Sequence, residues 1–158
     1  MKKQIRWGTL IVCIAIPLAV GAIASLLTKD SMIQFRELKQ PPLAPPGWLF
    51  PVVWTILYVM MGIASYLVVT SNGNKEDIDQ ALTWYRIQLA ANFLWSIVFF
   101  RLGLYFAAFA WLLFLWWLIL KTIRAFQDVS DTAKRMMIPY LIWVTFAGYL
   151  NLGIAVLN

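Results

Sequence analysis

Long apolar segments dominate the chain, and short polar segments separate them. The five apolar segments are 7–28, 48–70, 81–100, 102–120 and 136–157. Four of them contain no charged residue, and the third contains only Arg86. A helix needs about 20 mostly apolar residues to cross the hydrocarbon core of a bilayer, and continuous rather than alternating apolar runs disfavour a transmembrane β-barrel. The pattern predicts an all-α polytopic membrane protein, a bundle of five transmembrane helices that forms a single domain over residues 1–158.

The first apolar segment has two interpretations. Lys2, Lys3 and Arg6 precede it, and residues 22–24 (Ala-Ile-Ala) resemble a cleavage site, so the segment can be read as a signal peptide that is removed. The apolar run continues past this site to Leu27 and reaches full spanning length. This length favours a retained first helix.

The one long connection, residues 29–47, is rich in proline. Five of the seven prolines of the chain lie between positions 41 and 51, and proline fixes φ and stiffens a loop. Two interpretations are open: a linker that only spaces two helices, or a rigid lid over the outer end of the bundle. We call residues 29–47 the lid segment.

The placement of Lys and Arg predicts the orientation, because cytoplasmic loops carry an excess of both. Nine basic residues fall on one side of the predicted bundle: Lys2, Lys3, Arg6, Lys75, Arg86, Lys121, Arg124, Lys134 and Arg135. Four fall on the other: Lys29, Arg36, Lys39 and Arg101. We therefore expect a cytoplasmic N-terminus and an outer lid segment. The net charge of +6 is explained by topology and by lipid headgroups, so we expect membrane lipid and no nucleic acid as a partner.

Composition narrows the classes of function. Hydrophobic residues make up 62% of the chain and charged residues 13%, against roughly 45–50% and 25% in soluble domains. There is no histidine, and Cys13 is the only cysteine, which leaves no disulfide within the chain. The commonest metal ligand and the usual general base are missing. All seven Asp and Glu residues lie outside the apolar segments. We expect no metal site, no cofactor and no acid–base chemistry inside the bundle.

Three of the predicted helices each carry an aromatic stripe, and two of these stripes include carboxamides. The residues are Trp54 and Tyr58 in the second helix, Gln88, Asn92, Trp95 and Phe99 in the third, and Trp143, Ala147, Leu150 and Asn151 in the fifth. One interpretation is contact between helices, since amides bond across helices in membranes. The other is an apolar cavity, lined by aromatic rings and a few amides, that suits a flat hydrophobic ligand.

These residues occur in an order that resembles the TspO family of tryptophan-rich sensory proteins and mitochondrial translocator proteins. The resemblance rests on Pro45-Pro46-Gly47-Trp48, Trp54, Leu57-Tyr58, Met61-Gly62, Gln88, Asn92, Trp95, Phe99-Phe100, Pro139-Tyr140-Leu141, Trp143, Phe146-Ala147 and Leu150-Asn151. No single element is specific, but the ordered set over three predicted helices is. The short tail and the high tryptophan content are typical of the bacterial members, which predicts a bacterial cell membrane.

The resemblance implies a five-helix membrane fold, often a homodimer, with a ligand pocket under the first loop. It implies protoporphyrin and isoquinoline-carboxamide drugs as ligands, with protoporphyrin a ligand rather than a resident cofactor. Residue pattern and resemblance together predict a binding site formed by Pro45, Trp48, Trp54, Tyr58, Gln88, Asn92, Trp95, Phe99, Trp143, Phe146, Ala147, Leu150 and Asn151.

Two questions stay open at the level of sequence. Some family members promote light-dependent porphyrin breakdown, which would make Trp54 and Trp143 catalytic residues; the alternative is that both indoles only stack on the ligand. The rival to a binding protein that regulates tetrapyrrole levels is a transporter or channel for porphyrins or other hydrophobic molecules. A transporter requires a path open to both faces of the membrane, whereas a binding protein requires only a pocket.

Overall fold

The computed structural model describes residues 4–158, and within this range it contains helices and no strand. The α-helices are α1 (Trp7–Thr28), α2 (Met32–Arg36), α3 (Leu49–Val69), α4 (Lys75–Ser96), α5 (Tyr105–Gln127) and α6 (Asp131–Leu157). A 3₁₀ turn, Lys29–Ser31, joins α1 to α2, and α4 continues as a π-helical turn, Ile97–Arg101. Five of these helices are long, and α2 is a short helix inside the lid segment.

Four membrane-spanning candidates satisfy both the length and the apolarity criteria. They are α1 with the turn and short helix after it, α3, α5 and α6. Helix α4 is long enough, but it begins at Lys75, six residues before the predicted segment 81–100, and this added part contains Glu76, Asp77 and Asp79. The prediction of five membrane crossings is therefore supported for four helices, and a crossing by α4 stays a prediction.

Polar extensions of three helices gather at one end of the bundle, which we call the polar end. Besides the start of α4, these are the last turns of α5, up to Gln127, and the first turn of α6, from Asp131. Side chains cap the two helix starts: Asn74 Oδ1 accepts from the Glu76 amide at 2.9 Å, and Ser130 Oγ from the Ala133 amide at 3.2 Å. These caps satisfy amides that helices leave unpaired at their first turn. Of the residues behind the predicted orientation, Lys2 and Lys3 lie outside the described range.

Helix α1 lies at the periphery and reaches the bundle mainly through α3. The contact is close because Gly62 has no side chain: a Cβ there would lie 2.5 Å from Ile14 Cα and 2.8 Å from the Cys13 carbonyl oxygen. Small residues commonly allow such close approach between membrane helices. The centre of the bundle, by contrast, holds large side chains that are fully buried, such as Met61, Met137 and Tyr140.

The lid segment is attached to the opposite end of the bundle, the lid end. Pro41 is buried against Gly153 of α6, where a Cβ would lie 2.5 Å from the proline ring. Tyr149 Oη donates a hydrogen bond to the Pro42 carbonyl oxygen at 2.6 Å. The Asn158 carboxamide accepts from the Lys39 amide and donates to the Lys39 carbonyl, both at 3.0 Å. These contacts attach the lid segment to α6 and to the end of the described chain.

The contact at Gly62 yields a stability prediction. Gly62→Ala should lower the free energy of unfolding by about 1–3 kcal/mol, because the new methyl group meets backbone atoms of α1 that cannot move aside cheaply. Thermal unfolding in detergent, followed by tryptophan fluorescence, measures the effect. Gly8→Ala is the matched control, since nothing lies within 4 Å of a Cβ at Gly8 and alanine is the better helix former. Equal melting temperatures for Gly62→Ala and the parent would contradict the close contact.

Candidate functional site

A cavity of about 690 Å³ lies at the lid end between α1, α3, α4, α6 and the lid segment. A second groove, between α5 and α6, has about 330 Å³. The wall of the large cavity is mainly aromatic and aliphatic, with a few hydroxyl and amide groups. Its aromatic members are Phe35, Trp48, Phe50, Trp54, Tyr58, Trp95, Phe99, Phe100 and Trp143. The volume and the mainly apolar lining of this cavity are typical of a site that binds a drug-sized apolar ligand.

Trp54 stands at the centre of the aromatic wall. Its ring lies 5.6 Å from Tyr58, one helical turn away, and 6.5 Å from Trp95 of α4, measured between centroids. Tyr140 of α6 meets it edge-on at 6.2 Å. Aromatic pairs at these separations are favourable beyond the apolar area that they bury. Three helices thus hold the Trp54 ring, and its partly exposed face lies on the cavity.

Trp95 is fixed by a hydrogen bond from its indole. Its Nε1 donates to Asn151 Oδ1 at 3.1 Å, and Asn151 Nδ2 in turn donates to the Tyr105 carbonyl oxygen at 2.9 Å. Phe99 stacks on the Trp95 ring at 5.3 Å. Because both halves of the Asn151 carboxamide are bonded to protein groups, its role in this arrangement is to orient the Trp95 indole.

Trp143 forms part of the α6 wall and differs from Trp95 in its hydrogen bonding. Its ring lies between Phe50 and Phe146, with centroids at 5.9 and 5.6 Å. Its Nε1 is buried, and no atom of residues 4–158 accepts a hydrogen bond from it. A buried donor without a partner is costly.

A chain of buried hydrogen bonds closes the cavity on the side of the polar end. Tyr58 Oη donates to Asn92 Oδ1 at 2.9 Å, Asn92 Nδ2 donates to Tyr140 Oη at 2.7 Å, and Tyr140 Oη donates to Gln88 Oε1 at 2.8 Å. The four side chains come from α3, α4 and α6. The carboxamides of Gln88 and Asn92 therefore join helices beneath the cavity, which is the first of the two interpretations that the sequence allowed.

Helix α1 contributes a wall of small residues that sequence reasoning missed. Gly21, Ala24, Ser25 and Thr28 line the cavity, and Thr28 turns its hydroxyl back onto the Ala24 carbonyl at 2.8 Å. The spacing of these residues, three or four apart, was the available signal, since it places small side chains on one helix face. Sequence reasoning also missed Met32, Phe35 and Arg36 of the lid segment, because α2 has only five residues, too few for a helical period to be recognised.

The structure brings nine of the thirteen predicted binding residues onto one surface. They are Trp48, Trp54, Tyr58, Trp95, Phe99, Trp143, Ala147, Leu150 and Asn151. Gln88 and Asn92 lie below this surface, Phe146 lies behind Trp143, and Pro45 lies in the lid segment away from the lining. Among residues 4–158 no group of His, Cys, Asp and Glu side chains is placed to hold a metal ion.

Comparison with known proteins agrees with this architecture. The model of the TspO/MBR family matches residues 13–157. The tryptophan-rich protein TspO of Chlorobaculum tepidum is 41% identical, with 100% of this chain and 99% of the relative aligned. The tryptophan-rich sensory protein of Cereibacter sphaeroides is 34% identical over 96% of this chain and 92% of its own.

A eukaryotic relative extends the likeness. The translocator protein of Ovis aries is 36% identical, with 74% of this chain and 70% of the relative aligned. The family match covers nearly the whole chain, and the apolar helices are long enough to cross a bilayer. The chain is therefore an integral membrane protein and belongs to the TspO/MBR family.

Proposed function

We propose that this protein binds tetrapyrroles of the protoporphyrin IX type in the cavity beneath the lid segment and so regulates their level. The observation that carries the proposal is the grouping of three indoles, Trp54, Trp95 and Trp143, around one cavity of about 690 Å³. A porphyrin is flat, apolar at its faces and rich in π electrons, and such a molecule stacks well on indole rings. Burial of its faces also removes a large apolar area from water.

The side of the cavity that faces the polar end, which we call its floor, is closed by buried side chains, and this favours a binding protein over a transporter. Tyr140 and Asn92 are 1% exposed and hydrogen-bonded to each other, and Met61 and Met137 are fully buried. Passage of a porphyrin to the polar end would require the separation of α3, α4 and α6 and the loss of this hydrogen-bond chain. A ligand that enters and leaves at the lid end requires neither.

Isoquinoline-carboxamide ligands belong to the same proposal. They share with porphyrins a flat aromatic body, and their amide adds a carbonyl acceptor. Trp143 lines the cavity, and its indole ring offers a flat apolar partner to such a body.

We predict that Ala147→Leu weakens protoporphyrin binding at least tenfold. Ala147 is 7% exposed and lines the cavity, so a leucine there occupies space that the ligand requires. Quenching of intrinsic tryptophan fluorescence in the dark measures the dissociation constant, which we expect to be micromolar or tighter in the parent, about 8 kcal/mol of binding.

The matched control for this substitution is Ala110→Leu, which makes the same change on the exposed face of α5. This variant should bind protoporphyrin as the parent does. Parental affinity in Ala147→Leu would place the binding site elsewhere, and absence of binding in the parent would end the proposal.

We further propose that light-driven oxidation of the bound porphyrin proceeds with Trp54 and Trp143 as participants. Dissolved oxygen is the oxidant, and indole is the side chain that most readily gives up an electron. An indole gives one electron to the light-excited porphyrin, which passes it to oxygen as superoxide. The indole radical then takes an electron from the porphyrin and is restored, and superoxide adds to the oxidised porphyrin, so that the net reaction is addition of oxygen to the porphyrin. Both indoles line the cavity, within reach of a stacked ring. The competing hypothesis is that both indoles only hold the ligand. It requires the same contacts, but it predicts that replacement of the two indoles leaves the rate of porphyrin consumption unchanged.

The combined change Trp54→Phe and Trp143→Phe should therefore slow consumption of bound porphyrin at saturating ligand and equal light. Absorbance of the porphyrin band measures the rate, and saturation removes differences in affinity. Trp7→Phe with Trp117→Phe is the control, because both indoles are exposed on the outside of the bundle. Equal rates in all three proteins would leave these tryptophans as ligand contacts only. If the parent does not exceed the rate in detergent alone, the protein is a binder and not an enzyme.

The proposal also includes the membrane arrangement. Helix α4 is the fifth crossing, the polar end with its basic residues faces the cytoplasm of a bacterial cell, the N-terminus lies on that side, and two chains form a homodimer. What supports the orientation is the excess of Lys and Arg at the polar end. There Lys121 also lies 5.4 Å above the Trp117 ring, a pairing common at membrane interfaces.

Cysteine labelling tests the orientation in a Cys13→Ala background. A membrane-impermeant maleimide added to intact cells should modify a cysteine introduced by Gln40→Cys and leave one introduced by Asn74→Cys unmodified. Both positions are exposed, so disruption of the membrane should make both react and serves as the control. Labelling of the Asn74→Cys protein alone in intact cells would reverse the orientation.

A further inference from the structure

The cavity has a charged mouth over an uncharged interior. Among its lining residues only Lys29 and Arg36 carry a charge, and none is acidic. Lys29 follows the last residue of α1, and Arg36 is the last residue of α2. Both cations therefore belong to the lid segment and stand where a ligand enters.

Within residues 4–158 neither cation forms a salt bridge. The salt bridges of the described residues join Asp131 to Lys134 and Arg135, at the polar end. The acidic neighbours Asp30 and Glu37 are exposed, and neither forms a salt bridge nor lines the cavity within residues 4–158. The lining of the cavity mouth therefore carries two cations and no carboxylate, next to apolar walls that screen charge poorly.

We propose that Lys29 and Arg36 make this cavity selective for amphipathic anions, molecules with a flat apolar body and at least one carboxylate at the edge. The inference rests on the proposed tetrapyrrole function and adds the class of ligand and the two residues that select it. The body enters among the indoles, and the carboxylate stays at the mouth. A carboxylate drawn deeper would lose its hydration without gaining a counter-charge.

The two side chains suit this position for different reasons. The lysine has a long flexible stem, so its ammonium group can follow carboxylates in several places. The arginine presents a planar set of donors that pairs with a carboxylate through two hydrogen bonds. A neutral molecule of the same shape would occupy the same walls and gain nothing from either residue.

The test compares protoporphyrin IX with its neutral dimethyl ester on the full chain in nonionic detergent, by tryptophan quenching in the dark. Exposed ion pairs have modest energies, so the parent should bind the free acid about 3- to 10-fold more tightly than the ester. In the double variant Lys29→Gln/Arg36→Gln the two affinities should become equal. Ester affinity should match the parent's in every variant, which also shows that the variants are folded.

Lys39→Gln is the matched control, because Lys39 lies in the same lid segment but does not line the cavity. It should keep the preference for the acid, whereas a loss equal to that of Lys29→Gln would overturn the proposal. Added NaCl should reduce the affinity for the acid and leave that for the ester constant, since screening acts only on the charge.

Lipid headgroups are a second source of anionic oxygen atoms that Lys29 and Arg36 could bind. Repeating the measurement in phosphatidylcholine nanodiscs distinguishes lipid phosphate from the ligand carboxylate. Persistence of the acid preference in nanodiscs supports the proposal, and its disappearance there would assign the two cations to lipid phosphate. Equal affinities for acid and ester in the parent would overturn the selectivity and leave porphyrin binding intact. Absence of binding by both molecules would overturn the proposed function itself.

Discussion

The hydrogen-bond chain of Tyr58, Asn92, Tyr140 and Gln88 is the interaction on which the rest of the bundle depends. In a bilayer the hydrophobic effect does not hold helices together, since lipid tails are as apolar as leucine. Polar groups buried in the bundle must then find partners within it. These hydrogen bonds join α3, α4 and α6, and they fix the rotation of each helix about its own axis. Because Trp54 is one turn from Tyr58 on α3, this rotation also places the Trp54 indole on the cavity.

On the lid side of these hydrogen bonds, side chains no longer fill the centre of the bundle but line a cavity. Large side chains fill the space at the level of Met61 and Met137, whereas toward the lid end the rings of Trp54, Trp95 and Trp143 stand around open volume. The lid segment covers that volume and lines part of it, and Pro41 holds the segment on α6 at Gly153. The cavity is therefore bounded by hydrogen-bonded side chains toward the polar end, by aromatic rings at its sides and by the lid segment at the lid end.

This division separates two kinds of recognition. In the proposed function the walls act on shape and apolar area, since aromatic and aliphatic side chains make up most of them. Charge is found only at the mouth, on Lys29 and Arg36 of the lid segment. A charged side chain on the inner wall would have been costly to bury without a partner, so in the proposed function selection by charge belongs to the lid segment and selection by shape to the long helices.

Sequence alone determined that the chain is helical and membrane-embedded, because long apolar runs without charge have few other solutions. The spacing of Trp54 and Tyr58, or of Trp143, Ala147 and Leu150, also determined which residues share a face. Only the tertiary structure decided that Asn92 bonds to tyrosines beneath the cavity, that α1 supplies a wall, and that Lys29 and Arg36 stand at its mouth. The periodicity of apolar residues shows only which residues share a face of one helix. Hydrogen-bond partners and loop positions depend on how separate helices meet, and no local pattern encodes that.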